Sequence, residues 1–173
     1  TITITPVLDT TTGYSSGDVL FLNTVVPLPA RSCKLVNAYV VDFSLTQLVA
    51  DDITFLFFQN NAAELGTINA TANISDPNFR LNRFIGACKI ETSTETEPLD
   101  NMALHQMVHF GQGTDTSGAR PLDLPLVSSG AEAPYDGNGS FPVFMTAGIA
   151  AISGGSPSFS AADSLDVVLT FEY

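Results

Sequence analysis

Hydrophobic and polar positions alternate along most of this chain, and a period of two predicts strands. The longest apolar block covers residues 34–59 and begins with a run in which Leu35, Tyr39 and Val41 share one face while Val40 lies on the other. β-branched and aromatic residues dominate the block, which favours strands over a helix. We therefore predict two long strands joined by a turn, with the rest of the chain organised around this pair.

The second half of this block is apolar on both faces. Asp51 and Asp52 interrupt the block, and the run ITFLFF follows at residues 53–58. A strand with two apolar faces is usually covered on both sides, in the centre of a sandwich or at a contact between subunits. Phe55 and Phe57 are therefore the candidate core rings, and one of them could instead face a partner.

Further alternating runs predict strands elsewhere in the chain. They lie at residues 1–7, 18–26, 85–90, 102–110, 141–152 and 164–173. Pro6 indicates that the first of them lies at a sheet edge, and Pro125 reduces the run around it to a short strand at most. One short helix is predicted, with Asp76 as its N-cap, Pro77 at its first position and an end near Phe84.

About eight strands and one short helix predict an all-β fold. The expected architecture is an antiparallel β-sandwich, with a jelly roll as one arrangement of it. The chain has 173 residues, which is sufficient for one domain with a core. It contains neither an internal repeat nor a dividing linker, so we expect a single domain over residues 1–173.

The chain is acidic and poor in charge. Charged residues make up 14% of it, against roughly 25% in an ordinary soluble domain. With 18 acidic and 6 basic residues the net charge is −12. Nucleic acids and anionic membranes are therefore disfavoured as partners, because phosphate binding needs clustered lysines and arginines. No apolar run approaches the ~20 residues of a membrane-spanning helix.

Both cysteines, Cys33 and Cys88, adjoin predicted strands. Two cysteines are too few for a disulfide scaffold, so we expect buried free thiols, with a bridge between them as the alternative. Free thiols agree with synthesis in a reducing cytoplasm.

No arrangement of residues predicts catalysis, a metal site or a cofactor. His105 and His109 are expected on one face of a strand, where a spacing of four residues separates them by ~13 Å, too far for one ion. Gln106 also stands where an HExxH pattern needs Glu. Asp115 begins an Asp-Thr-Ser-Gly turn without the glycine spacing of aspartic proteases, and no serine lies in a nucleophile elbow. We therefore expect no enzyme, with a hydrolase built from scattered residues as the alternative.

The densest cluster of charge is acidic and consists of Glu91, Glu95, Glu97 and Asp100. A solvated loop is the simplest interpretation of it. A weak cation site between subunits is the alternative, because carboxylates are the ligands that hard cations prefer.

Several segments together resemble a family of small structural proteins of tailed bacteriophages. The opening ITITPVLDTTTGYSSGDVLF is similar to that family's first strand, its Thr/Ser-rich loop and the start of its second strand. The block LVNAYVVDFSLTQLVADDITFLFFQNN is similar to its central pair, and DPNFRLNRFIGACKIE to its short helix and following strand. The ending SGGSPSFSAADSLDVVLTFEY is similar to its last turn and last strand.

The resemblance implies a virion component, and more narrowly a capsid decoration (cement) protein on the capsid exterior, made in the host cytoplasm. Its partner would be the major capsid protein, and the chain itself would form a trimer or a dimer. The acidic balance suits the outside of a shell better than its DNA-lined interior. The alternatives are a tail or baseplate structural protein and a receptor-binding module that holds a glycan on its loops.

Two segments are candidate contacts with the capsid or with another copy of the chain. Ile2 and Ile4 could add the first strand to the sheet edge of a neighbour. Arg80 and Arg83, beside Phe79, could pair with acidic groups of the capsid. The alternative is that the first strand completes its own sheet and that Phe79 caps its own core.

Overall fold

The computed structural model describes residues 1–44, 51–90, 96–99, 102–109, 122–129, 141–152 and 156–173. These residues form eleven strands and one short helix. The elements are β1 (Ile2–Ile4), β2 (Val19–Leu28), β3 (Ser32–Asp42), β4 (Asp51–Phe58), α1 (Asp76–Asn82), β5 (Phe84–Ile90), β6 (Thr96–Pro98), β7 (Ala103–Gln106), β8 (Val108–His109), β9 (Leu124–Val127), β10 (Phe141–Ile152) and β11 (Leu165–Glu172).

Two antiparallel sheets pack face to face. One has the order β1-β11-β3-β7-β6, with β9 also paired to β3, and the other has the order β2-β10-β4-β5-β8. Their inner faces meet in a hydrophobic core that includes Leu35, Val40, Phe55, Val143 and Val167. The fold is therefore an antiparallel β-sandwich, which confirms the predicted fold class.

The strand order is that of a jelly roll. When the short strands β6, β8 and β9 are set aside, eight of the described strands remain. Numbered 1 to 8 along the chain, they lie in the order 1-8-3-6 in one sheet and 2-7-4-5 in the other. Every step along the chain then crosses between the sheets, except the step from β4 to β5, which pair directly. This arrangement is the double Greek key of a jelly roll.

The predicted central pair is wrong in one respect, because its two strands do not lie side by side. β3 pairs with β11, β7 and β9, whereas β4 pairs with β10 and β5 in the other sheet. Both apolar runs are strands, as expected. A period of two identifies a strand and its faces but carries no information about which sheet the strand joins. The connection at residues 45–50 lies outside the described residues.

A β-bulge in β3 also changes which face of that strand is buried. The pairing of β3 with β11 skips Val36. Before the bulge Leu35 lies in the core, and after it Val40 does, so that Tyr39 and Val41 are only half-buried. The sequence pattern had placed Leu35, Tyr39 and Val41 on one face, and the extra residue separates them.

The run predicted as one strand over residues 102–110 is divided between the two sheets. β7 pairs with β3, and β8 pairs with β5 of the opposite sheet. The chain crosses at Met107, which is buried in the core. His105 and His109 therefore belong to strands of different sheets, not to one face of one strand.

The ends of two elements differ from the sequence prediction, whereas β9 is the short strand expected around Pro125. β2 continues through Pro27, which is tolerated because β2 is the edge strand of its sheet. Helix α1 has Ser75 as its N-cap instead of Asp76, and it ends at Asn82. In the described ranges no helix has the length and apolar character needed to cross a membrane.

Other expectations are confirmed. β1 lies at the edge of its sheet, as Pro6 indicated. Cys33 and Cys88 are both buried and both free. Burial raises the pKa of each thiol, so neither has the exposed, low-pKa environment of a reactive cysteine.

Candidate functional site

Helix α1 places an aromatic cluster on the outer face of the sheet that contains β4. The ring of Phe58, at the end of β4, has its centroid 5.3 Å from that of Phe79 and 5.8 Å from that of Phe84. The centroids of Phe79 and Phe84 are 5.7 Å apart. The three distances are those that aromatic pairs prefer, and the two pairs of Phe58 are edge-to-face. Phe58 itself is only 1% exposed, because the other two rings cover it.

A second β-bulge turns Phe84 toward this outer face. Phe57 pairs with Gly86 but Phe58 pairs with Phe84, so that Ile85 is the extra residue. Ile85 packs against the core, whereas Phe84 remains 46% exposed. The bulge thus directs an aromatic ring outward at the point where the chain leaves the helix.

The helix is held in place by the buried side chain of Asn82. Its Oδ1 accepts the backbone N–H groups of Ala62 at 2.8 Å and Ala63 at 3.0 Å, and its Nδ2 donates to the carbonyl of Ala63 at 2.7 Å. The backbone N–H of Asn60 donates to the carbonyl of Asn82 at 3.0 Å. These bonds fix the end of the helix, so a partner would meet a preorganised surface.

An exposed leucine and two arginines lie on or directly after the same helix. Leu81 is 59% exposed, and Arg80 and Arg83 are exposed as well. Within the part of the chain that the structure describes, neither guanidinium forms an ion pair. These five residues, namely Phe79, Arg80, Leu81, Arg83 and Phe84, are called the aromatic–arginine surface below.

The structure thus brings Phe79, Arg80 and Arg83 together and leaves Ile2 and Ile4 elsewhere. β1 pairs with β11, with Ile2 opposite Leu169 and Ile4 opposite Val167. Ile4 belongs to the core. Among the described strands, none pairs with the other side of β1. The first strand therefore completes its own sheet and still presents an open edge.

No family model, curated protein or solved structure matches this chain. Its surface is therefore interpreted from its own chemistry.

The sequence reasoning identified Phe79, Arg80 and Arg83 but missed Leu81 and Phe84. Leu81 lies two positions after Phe79, off the stripe that helical periodicity assigns to a buried face. The sequence predicts the end of the helix near Phe84, and only the bulge shows the direction of that ring. The available signal was composition, because the segment FRLNRF holds three large apolar residues and two arginines.

Ser44, Asp42 and His105 have the residue types of a hydrolytic triad but not its order. The backbone N–H of Ser44 donates to Oδ1 of Asp42 at 2.8 Å, and its hydroxyl donates to the same oxygen. Oδ2 of Asp42 lies 4.0 Å from Nε2 of His105. A nucleophilic serine needs histidine as the acceptor of its proton, whereas here the carboxylate lies between them. This cluster therefore lends no support to a hydrolase.

The buried position of His105 affects its titration. Both His105 and Asp42 are fully buried. Burial lowers the pKa of His105, and the charge of Asp42 opposes that effect. The pair links β3 to β7 and is a feature of the interior.

The other candidate sites lie largely beyond the described residues. Of the acidic cluster, only Glu97 is described, exposed on β6. Glu91, Glu95 and Asp100 lie outside, as does Asp115. The described residues contain no group of three or more His, Cys, Asp or Glu side chains that could hold a metal ion. The cation site between subunits stays a prediction.

Proposed function

We propose that this chain is a structural protein of a phage virion that binds the outer capsid surface and bridges neighbouring capsid subunits. The aromatic–arginine surface is the observation that carries the proposal, and the ordered family resemblance of the sequence supports it. Jelly rolls occur among viral capsid and lectin domains. A fold does not determine function, so the jelly roll alone does not identify a capsid protein.

The composition of this surface is that of a protein contact. Single exposed apolar residues are normal, whereas a contiguous apolar group with a polar border marks an interaction site. Phe84 is 46% exposed and lies against the half-buried ring of Phe79, and Leu81 of the same helix is 59% exposed. Aromatic residues and arginine are enriched in protein–protein interfaces. The partner is therefore expected to offer an apolar pocket.

The two arginines define the charge of the partner. The chain carries 18 acidic and 6 basic residues, and two of the six bases lie on this one surface. Guanidinium groups bind carboxylates in a bidentate geometry. We therefore expect acidic side chains of the capsid protein around the apolar pocket.

Two separate contact regions would allow one copy to bridge two neighbours. The aromatic–arginine surface lies on the sheet of β4, and the open edge of β1 lies on the opposite sheet. We propose that β1 pairs with another copy or with a capsid strand by strand addition, giving a trimer or a dimer. A protein that binds only the assembled shell stabilises it by mass action.

The proposal is tested by heating particles with and without the protein and measuring the temperature of DNA release. Particles that carry the protein are expected to release DNA at a higher temperature. The double variant Arg80→Glu/Arg83→Glu should fold normally, because both side chains are exposed, and should fail to bind. The variant Arg31→Glu/Lys34→Glu makes the same change in net charge at the start of the other sheet's β3, where both residues are exposed. It breaks the exposed ion pair of Lys34 with Asp123 (3.3 Å), which contributes little to stability, and it should bind as the unmodified protein does.

Two results would contradict the proposal. Equal release temperatures with and without the protein would remove the cement role and favour a tail or baseplate role. Binding by the Arg80→Glu/Arg83→Glu variant would leave the cement role intact but exclude this surface. Sedimentation analysis tests the role of β1 separately, because a chain that stays monomeric at every concentration would exclude pairing between copies.

A further inference from the structure

A cleft distinct from the aromatic–arginine surface lies where three segments of the chain meet. It has a volume of about 420 Å³ and is lined by Thr10, Thr11, Thr12, Gly13, Ser44, Ser158, Phe159 and Ser160. Six of these eight residues carry a hydroxyl group, and none is charged. A hydroxyl group both donates and accepts hydrogen bonds. The lining is therefore complementary to a neutral ligand that also combines donors and acceptors.

The walls of this cleft are tied to each other and to the core. The backbone N–H of Tyr14 donates to the carbonyl of Pro157 at 2.8 Å. A side chain at Gly13 would meet the Cβ of Ser156 at 3.0 Å, so the two segments touch there. The buried ring of Tyr14 packs edge-to-face on Phe159 with centroids 5.7 Å apart. The cleft is therefore present before any ligand binds.

Hydrogen bonds behind the cleft orient two of its threonines. The carboxylate of Asp9 accepts both the backbone N–H of Thr11 at 3.0 Å and its hydroxyl at 2.8 Å. The side-chain Nδ2 of Asn69 donates to the hydroxyl oxygen of Thr12 at 2.8 Å and also to Asp9. These bonds to Asn69 and Thr11 lower the pKa of Asp9, so its carboxylate is ionised at neutral pH.

These hydrogen bonds assign a role to three of the six hydroxyl groups. Those of Thr11 and Ser44 donate to the carboxylates of Asp9 and Asp42, so their oxygens remain available as acceptors. The hydroxyl of Thr12 accepts from Asn69, so its proton is available to donate. Acceptors and a donor held side by side match adjacent hydroxyl groups of a sugar ring.

We propose that the cleft is a binding site for a neutral saccharide, held by the hydroxyl groups of Thr11, Thr12 and Ser44. This site is independent of the proposed capsid contact, because none of its residues belongs to the aromatic–arginine surface. Hydrogen bonds to a sugar replace hydrogen bonds to water with little net gain in free energy. We therefore expect a dissociation constant in the millimolar range for a single sugar. Several copies on one particle would raise the effective affinity through multivalency.

The test is a titration of the full chain with threonine methyl groups labelled for NMR. The probes are glucose, galactose, mannose, N-acetylglucosamine, rhamnose, maltose and lactose. At least one is expected to shift the methyl resonances of Thr10, Thr11 and Thr12 in a saturable manner. The resonance of Thr54, on the outer face of β4, should stay unchanged.

Two variants, each of which removes one hydroxyl group from the cleft, test the assignment. Thr12→Val and Ser44→Ala should each weaken binding about five- to tenfold, the usual effect of losing one hydrogen bond. Thr54→Val is the matched control and should bind as the unmodified chain does. Glucuronate should bind more weakly than glucose, because the ionised Asp9 lies behind the cleft.

Three outcomes would overturn the proposal. The first is that no sugar shifts these threonines at concentrations of tens of millimolar. The second is that Thr12→Val binds as tightly as the unmodified chain while its spectrum remains that of the folded protein. The third is a preference for glucuronate over every neutral sugar, which would require a cationic site.

Discussion

Phe57 and Phe58 are neighbours on β4, and both are almost completely buried, but by different parts of the molecule. Phe57 is 0% exposed and belongs to the core between the two sheets. Phe58 is 1% exposed and is covered on the outer face by Phe79 and Phe84. The inner ring is buried by residues that are themselves buried, whereas the outer ring is covered by residues that remain partly exposed.

This difference separates residues that maintain the fold from residues with surface left for a partner. Packing between the two sheets buries the inner face, so we expect no partner to contact it. The outer cluster protects Phe58 and still leaves Phe84 at 46% and Leu81 at 59% exposure. Burial of such exposed apolar area against a partner is favourable, because it removes that area from water.

The largest expected effect is on the inner ring. Phe57→Ala should lower the free energy of unfolding by about 3–5 kcal/mol, because it removes a fully buried ring and leaves a cavity. Phe55→Ala should behave in the same way, since Phe55 is 1% exposed. Urea unfolding followed by circular dichroism measures both. Losses below about 1 kcal/mol would contradict the assignment of these rings to the core.

A smaller effect on stability is expected for the outer ring. Phe84→Ala should cost about 1–2 kcal/mol, because only part of its area and two aromatic contacts are lost. The free energy of capsid binding should change by far more in this variant than its free energy of unfolding does. A loss of stability equal to that of Phe57→Ala would show that Phe84 is a core residue without exposed area available to a partner.

The interior also contains a buried histidine, His105, beside Asp42. The pKa of His105 is lowered from 6.5 by burial, so the unfolded chain binds more protons than the folded chain between 6.5 and that lower value. Stability should therefore rise with pH in this window and decrease as pH falls below 6.5. We expect this effect to be the smallest of the three.

The measurement for His105 is the urea midpoint as a function of pH. The variant His105→Gln should lose the dependence in this window, although it will be less stable overall. Stability that increased on acidification in the same window would mean that the charge of Asp42 outweighs burial and that the folded-state pKa is raised.

Alternation in the sequence was sufficient to predict most strands, but not how they are assembled. The strand of the last residues alternates as predicted, because one of its faces lies against the opposite sheet. The run that contains Phe57 is a strand as predicted, with Phe57 in the core between the sheets and Phe58 covered on the outer face. The assignment of β3 and β4 to different sheets depends on pairings that are distant in the chain. Local periodicity does not contain that information.

The bulges explain the remaining errors at the level of single residues. One extra residue at Val36 reverses the buried face of β3, and another at Ile85 turns Phe84 outward. No glycine or proline adjoins Val36, and Gly86, which follows Ile85, is the only local sign of the second bulge. The hydroxyl-lined cleft could not be predicted either, because it brings Thr12, Ser44 and Ser158 together from three distant segments.

We propose that the aromatic–arginine surface contacts the capsid. A reconstruction by cryo-electron microscopy of a particle carrying this chain would show that contact itself. Helix α1 and the start of β5 are expected to face the shell, with Phe84 in an apolar pocket and Arg80 and Arg83 beside acidic side chains. The claim would be contradicted by a particle in which Phe84 and Leu81 face solvent while another face of the sandwich contacts the capsid, or in which the chain lies in the tail.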